Sequence, residues 1–172
     1  EGGALIINDD ELVQKVRYLI NFGIKSPTEI PHLGTNAKMN EFEAAMGLCI
    51  LDDIEKIKTN RKKVVENYRE NLNNIVQFQE QNINASENYS YFPILFKNEE
   101  ELLKVQKALN EKQIFPRRYF YPSLDTLDYI KPKQICEISQ DISKRVLCLP
   151  LYMELEKEDQ DKIMEILRKN YD

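Results

Sequence analysis

The first group of residues that could do chemistry is a polar loop, Gly34 to Lys38, which runs directly into a helix beginning near Asn40. The loop brings the amide of Asn36 and the ammonium of Lys38 to the N-terminus of that helix, where unpaired N–H groups and the helix dipole favour anions. A phosphate or a carboxylate is therefore the expected ligand. The alternative is an ordinary capped helix, with Asn40 and Glu43 as its capping box and a solvated lysine beside it.

A second group lies in the segment 117–124, where two arginines are followed by three aromatic residues and a proline. Read as a strand, the segment places Arg118 and Phe120 on one face and Tyr121 on the other. Arginine can bind a carboxylate or phosphate through two parallel hydrogen bonds while a ring stacks on a planar partner. The alternative is a half-buried strand whose arginines lie in solvent.

Other residue types that catalyse reactions are sparse. His32 is the one imidazole in the chain, and no Ser-His-Asp arrangement, GxGxxG motif or phosphate loop can be assembled with it. Lys38 has no neighbour in the sequence that would mark it as an activated amine. With a single histidine and three widely spaced cysteines, neither a metal site nor a disulfide framework is expected.

The composition restricts the class of protein. The chain has 172 residues, of which 42% are hydrophobic and 31% charged, a balance typical of a globular protein. The formal net charge of −5 argues against non-specific nucleic-acid binding. No apolar run approaches the roughly 20 residues of a membrane-spanning helix, and no signal peptide is visible. We therefore expect a cytoplasmic protein with no nucleic-acid or membrane partner.

Hydrophobic periodicity predicts an α/β chain. The apolar run at 4–8 indicates a buried strand, which requires neighbouring strands that no other early segment supplies, so we expect the C-terminal part of a longer protein. Asn40 begins a helix with no breaker until about residue 72, and its face carrying Phe42 and Met46 is expected to be buried. The other predicted elements are helices at 10–22, 99–111, 135–146 and 156–170, strands at 89–96, 114–121 and 147–149, and a boundary loop at 77–88.

Four blocks of sequence, taken in this order and at these spacings, resemble one enzyme family. They are Glu-Gly-Gly-Ala-Leu-Ile-Ile at 1–7, His-Leu-Gly-Thr-Asn-Ala-Lys-Met-Asn-Glu-Phe-Glu-Ala-Ala-Met-Gly-Leu at 32–48, Arg-Arg-Tyr-Phe-Tyr-Pro-Ser-Leu at 117–124 and Leu-Cys-Leu-Pro-Leu-Tyr at 147–152. Together they resemble the PLP-dependent nucleotide-sugar aminotransferases of the DegT/DnrJ/StrS type. The block at 32–48 is the most specific, and its form is most similar to the branch that aminates the C4 ketone of a dTDP-4-keto-6-deoxyhexose.

The resemblance implies the C-terminal portion of a fold-type-I PLP-dependent transferase. Residues 1–75 would be the end of the large PLP-binding domain with a long connecting helix, and residues 76–172 the small C-terminal α/β domain. In this family the Schiff-base lysine lies a few residues before the Glu-Gly-Gly motif, so it would fall outside this sequence. The resemblance therefore assigns no catalytic residue to the chain itself, and it implies a homodimer.

The resemblance also implies roles for five residues. Asn36 would hydrogen-bond the phosphate of pyridoxal 5′-phosphate (PLP) in the partner subunit of the dimer. Lys38 occupies a position where relatives often have arginine, and it would face the substrate. Arg118 and Tyr121 match the arginine and tyrosine of the family's Arg-x-His-Tyr-Pro segment, which borders the substrate site. Phe120 replaces the histidine of that segment, which suggests apolar contact with the sugar.

The implied reaction is a transamination. Glutamate would donate an amino group to the cofactor, and the cofactor would pass it to a nucleotide-linked keto-sugar, as in polysaccharide biosynthesis. Two alternatives stay open from the sequence. One is a PMP-dependent sugar dehydratase of the same family, in which the cofactor lysine is replaced, and the other is a non-catalytic fragment used for dimerisation or interaction.

Overall fold

The computed structural model describes residues 2–171. Two compact units make up the chain, Glu1–Ile54 and Glu55–Asp172. The expected mixed α/β architecture is confirmed, with six α-helices and three short strands among the described residues. The boundary between the units falls at Ile54, earlier in the chain than the position near residue 75 expected for the domain boundary. The assignment of residues 1–75 and 76–172 to two domains of a larger enzyme stays a prediction.

The first unit contains two helices with clear start signals. α1 spans Asp10–Leu19, and the carboxylate of Asp9 caps it by accepting the N–H of Glu11 at 3.0 Å. α2 spans Glu41–Asp52 and begins with the predicted capping box. The Asn40 side chain accepts the N–H of Glu43 at 2.9 Å, and the Glu43 carboxylate accepts the N–H of Asn40 at 3.2 Å. Each cap satisfies N–H groups that a helix start otherwise leaves unpaired.

Two glycines close the loop between these helices. Gly23 has φ of +78°, a left-handed conformation that glycine adopts without strain, and a Cβ there would lie 1.7 Å from the carbonyl oxygen of His32. A Cβ on Gly34 would lie 2.1 Å from the nitrogen of Gly23. The backbone segments around Gly23 and Gly34 therefore touch, and no larger residue fits at either position without moving them.

The strand predicted at residues 4–8 is wrong. The segment has no regular structure, and Leu5 and Ile6 are 74% and 92% exposed. A strand requires hydrogen bonds from a neighbouring strand, and no residue of the described chain pairs with this segment. The buried face predicted on α2 is also wrong, because Phe42 and Met46 are 90% and 64% exposed. The first unit thus carries much of its apolar surface on the outside.

The second unit is a three-stranded antiparallel sheet with helices packed on it. The strand order is β1-β2-β3, with Phe92 opposite Leu149 at one end of the β2–β3 pair and Leu95 opposite Val146 at the other. The elements are α3 (Ile54–Leu72), β1 (Gln77–Phe78), β2 (Phe92–Leu95), α4 (Glu99–Glu111), a single 3₁₀ turn (Leu124–Thr126), α5 (Glu137–Arg145), β3 (Val146–Leu149) and α6 (Lys157–Asn170).

One cluster of buried apolar side chains joins the sheet to α3, α4 and α6. Its largest fully buried members are Tyr68, Phe96, Leu72, Ile94, Leu102, Leu109, Leu147, Ile163, Met164 and Leu167. The buried Tyr68 hydroxyl donates to the carbonyl oxygen of Pro150 at 3.1 Å, and burial raises the pKa of this hydroxyl. The second unit therefore has a well-packed apolar core that can hold surface residues in fixed positions.

Three predicted elements differ from the structure. The continuous helix from residue 40 to 72 is interrupted at Asp53, which separates α2 from α3. The strand predicted at 114–121 reduces to one isolated bridge, in which Arg117 pairs with Cys148. The predicted boundary loop at 77–88 begins with the short strand β1, because the backbone there pairs with β2.

Candidate functional site

Backbone hydrogen bonds fix the position of Asn36 in the first unit. The N–H of Phe22 donates to the carbonyl of Thr35 at 3.0 Å, and the N–H of Ala37 donates to the carbonyl of Ile20 at 2.9 Å. These two bonds flank an antiparallel bridge between Asn21 and Asn36. Asn36 is therefore held against the end of α1 by main-chain contacts on both sides, although its own side chain is exposed.

Lys38 turns back onto Asn36. Its ammonium donates to the Oδ1 atom of Asn36 at 2.7 Å and lies 4.3 Å from the centre of the Phe22 ring. The structure thus brings together the two residues that the sequence singled out in this loop. Their exposed N–H groups, on the Asn36 amide and the Lys38 ammonium, are donors that a phosphate oxygen can accept.

The helix that follows the loop contributes less to anion binding than the sequence suggests. The capping box already satisfies the N–H groups of Asn40 and Glu43 from within the chain, and Glu41 adds a second carboxylate to the first turn. These carboxylates oppose the binding of another anion at the helix start. The helix start is thus capped from within the chain, as the ordinary-helix alternative expects, and the exposed side chains of Asn36 and Lys38 offer further donors beside it.

Arg118 in the second unit is held by three partners. Its guanidinium donates to Glu99 Oε1 at 2.8 Å and to the carbonyl of Lys144 at 2.9 Å, and it lies 3.9 Å from the centre of the Tyr121 ring. The Arg118 side chain is only 15% exposed. The predicted strand alternation, which separated Arg118 from Tyr121, is wrong because the chain leaves the sheet after Arg117.

The aromatic residues beside Arg118 remain open to solvent. Phe120 and Tyr121 are 69% and 48% exposed. Phe120 packs against Tyr119 with ring centres 4.9 Å apart, and Tyr119 contacts Tyr91 at 5.0 Å. Phe120 also lines an open apolar groove of about 540 Å³ that runs over Leu124 to α5. The segment therefore offers exposed rings on a backbone anchored by Arg118, whose side chain is partly buried.

Sequence reasoning missed one charged residue of this region, Glu99, and the side-chain partner of a second, Arg117. Glu99 pairs with Arg118 across a separation of 19 residues, and only its place in the first turn of α4 was visible in the sequence. Arg117 donates to the hydroxyl of Tyr119, which raises the pKa of this exposed arginine. Pairings of this kind depend on where the chain turns, and no local pattern signals them.

A further polar cluster ties the 3₁₀ turn to α5. Asp125 Oδ2 accepts the N–H of Cys136 at 2.9 Å and the side-chain amide of Gln140 at 2.6 Å. The Ser123 hydroxyl donates to the other carboxylate oxygen of Asp125. The bond from Ser123, followed by those from Cys136 and Gln140, lowers the pKa of Asp125 to about 2. Asp125 therefore stays ionised and acts as a structural connection.

His32, the remaining candidate side chain from the sequence, packs against an aromatic ring. His32 stacks on Tyr18 with ring centres 5.8 Å apart. Across residues 2–171, no three His, Cys, Asp or Glu side chains cluster as metal ligands would. Within the same residues, no helix is both long and apolar enough to cross a lipid bilayer.

Residues 1–168 match the DegT/DnrJ/EryC1/StrS aminotransferase family, which is nearly the whole chain. The chain belongs to this family. The family resemblance expected from the four sequence blocks is thereby confirmed.

Two relatives and one solved structure illustrate what this family member is similar to. It is 33% identical to a dTDP-4-amino-4,6-dideoxy-D-glucose transaminase of Shigella dysenteriae, over 98% of this chain and 48% of that protein. It is 26% identical to a GDP-perosamine synthase of Escherichia coli O157:H7, over 99% of this chain and 48% of that protein. The crystal structure of DesI in the presence of its TDP-sugar product superposes with a TM-score of 0.83 at 27% identity, over 95% of this chain and 44% of that one.

The superposition confirms the fold-type-I aminotransferase architecture expected for this chain. The chain spans about half the length of the curated relatives it matches. The individual roles of Asn36, Lys38, Arg118, Phe120 and Tyr121 stay predictions.

Proposed function

We propose that this chain is part of a PLP-dependent aminotransferase that moves an amino group from glutamate to a nucleotide-linked keto-sugar. The observation that carries the proposal is the 33% identity to a dTDP-4-amino-4,6-dideoxy-D-glucose transaminase over 98% of the chain. That similarity favours the C4 ketone of a dTDP-4-keto-6-deoxyhexose as the acceptor. The similarity to a GDP-perosamine synthase makes a GDP-linked keto-sugar the competing acceptor.

The donors on the first unit fit the phosphate of PLP. The Asn36 side chain is exposed, and its NH₂ group can donate to a phosphate oxygen while its Oδ1 atom accepts the Lys38 ammonium at 2.7 Å. We propose that Asn36 contacts the cofactor phosphate of a partner subunit in a homodimer, with Lys38 facing the substrate. PLP supplies the electron sink for transamination, and this chain would supply contacts that hold and orient it.

The second unit would border the sugar. Phe120 offers an exposed apolar ring in place of a histidine, and Tyr121 offers a half-exposed ring with a hydroxyl that can donate or accept. Arg118, which matches the arginine of the family's substrate-site motif, lies against the Tyr121 ring. Deoxy-sugars present apolar as well as hydroxyl surface, which this pairing of rings would complement.

The test uses a protein that contains this chain together with the additional half that its relatives have. It is incubated with PLP, ¹⁵N-glutamate and either a dTDP-linked or a GDP-linked 4-keto-6-deoxyhexose. The masses of the sugar-nucleotide products are then measured by mass spectrometry. Incorporation of ¹⁵N into one sugar nucleotide supports the proposal and identifies the nucleotide. Loss of water without nitrogen transfer would identify a sugar dehydratase instead. No change in either sugar would refute both enzyme assignments.

A further inference from the structure

The orientation of the Asn36 amide is set by its neighbours. An asparagine side chain presents an acceptor oxygen on one side and an NH₂ donor on the other, and phosphate can use only the donor. In the structure the oxygen, Oδ1, is occupied by the ammonium of Lys38 at 2.7 Å. The NH₂ group must then point away from Lys38. The hydrogen bond thus selects the amide orientation that an anion needs.

The ammonium of Lys38 is held in turn by an aromatic ring. It lies 4.3 Å from the centre of the Phe22 ring, within the distance at which a cation is attracted to an aromatic face. Phe22 has φ of +59° and donates its backbone N–H to Thr35, so its ring projects from a fixed point at the end of α1. A flexible lysine stem would otherwise leave the ammonium free to sample many positions.

We propose that Phe22 and Lys38 are positioning residues that hold the Asn36 amide with its NH₂ group presented to a phosphate. This inference rests on the proposed function, because it assumes that the phosphate belongs to the cofactor. It adds that Lys38 acts through Asn36, so that the effects of the two side chains on phosphate affinity are not independent. It also gives the half-exposed ring of Phe22 a role.

The first test observes the amide without any cofactor. In this chain labelled with ¹⁵N, Lys38→Met should move the side-chain NH₂ resonances of Asn36, because the amide oxygen loses its cationic partner. Lys38→Arg keeps a donor and a charge and should restore the wild-type signal. Lys15→Met, which removes an equally exposed lysine from α1, is the matched control. Unchanged Asn36 resonances in Lys38→Met would overturn the positioning role whatever the protein catalyses.

The second test measures affinity in the longer protein used for the function assay. Lys38→Met should weaken PLP binding about fivefold, the scale of one hydrogen bond, while affinity for pyridoxal, which lacks the phosphate, stays unchanged. In an Asn36→Ala background the same substitution should have no further effect. Phe22→Leu should weaken PLP binding by a smaller factor and should also lose its effect in that background.

The outcomes separate the inference from the proposed function. If Asn36→Ala leaves PLP affinity unchanged, the cofactor contact is wrong, and the inference falls with it even where the same protein still aminates the sugar. If Asn36→Ala weakens PLP binding but Lys38→Met adds its full effect in that background, Lys38 acts on the phosphate directly. The positioning role would then be refuted while the cofactor contact survives.

Discussion

The pair formed by Glu99 and Arg118 allows a quantitative prediction. Their charged atoms lie 2.8 Å apart, and the two side chains are 36% and 15% exposed. At an effective dielectric constant of about 20, the attraction is about 6 kcal/mol before the cost of removing both groups from water is subtracted. Exposed ion pairs contribute about 0.2–1 kcal/mol to the free energy of unfolding, whereas removing one partner of a fully buried pair lowers it by about 3–5 kcal/mol. We therefore expect Glu99→Gln to lower the free energy of unfolding of the second unit by about 2 kcal/mol.

Two controls isolate the ion pair. Glu100→Gln removes the same charge from the same exposed turn of α4, which accounts for the interaction of Glu99 with the helix dipole. Asp141→Asn breaks a pair with Arg145 that has the same 2.8 Å separation, but Asp141 is 59% exposed, so it should cost under about 1 kcal/mol. Urea unfolding followed by circular dichroism should show a midpoint lower by about 1 M for Glu99→Gln alone. Equal midpoints for Glu99→Gln and Glu100→Gln would show that Arg118 is not held by this pair.

Three further substitutions test other parts of the structure. Gly34→Ala would place a Cβ 2.1 Å from the Gly23 nitrogen, so hydrogen exchange at the Thr35 amide should speed up several-fold, whereas a rate equal to wild type would contradict the close contact. Asn40→Ala should lower the stability of α2 by about 1 kcal/mol, seen as lost helical circular dichroism, and unchanged helicity would argue against the capping box. The lowered pKa of Asp125 means that its ionised form stabilises the fold above about pH 4, and this contribution is lost as the pH falls towards about 2. The stability of Asp125→Asn should not show this loss between about pH 4 and pH 2. If the urea midpoints of Asp125→Asn and the wild type change with pH in the same way, Asp125 does not stabilise the fold.

Local signals in the sequence predicted much of the fold. The apolar spacing placed α4 correctly at Glu99–Glu111, because this signal acts within one helix. The capping box at Asn40 was visible for the same reason. The family and its fold type were also recognisable, since four separated blocks occur together in one order.

Contacts between distant segments could not be predicted. Residues 114–121 have the alternation of a strand, but only Arg117 finds a strand to pair with, and the backbone then turns away. Arg118 consequently reaches Glu99 on α4 instead of standing on a sheet face. The run at 4–8 has strand composition but no pairing partner among the described residues. In both cases a local preference lacked the tertiary partner that would realise it.

For the candidate site, the sequence identified Asn36 and Lys38 but not their relation to each other. The hydrogen bond between them depends on the directions of two exposed side chains, and the ring near Lys38 comes from Phe22, just after another helix ends. The residue types were therefore predictable, whereas the direction in which each donor points required the structure.

The contact between Gly23 and Gly34 brings the two ends of the segment 24–33 together. Because these ends already meet, doubling the length of the segment costs only about 0.6 kcal/mol of chain entropy. A peptide tag inserted between Pro27 and Thr28 should therefore leave the bridge between Asn21 and Asn36 intact. This stretch is a place where the length of the chain can change, in nature or in the laboratory, without disturbing the residues after it.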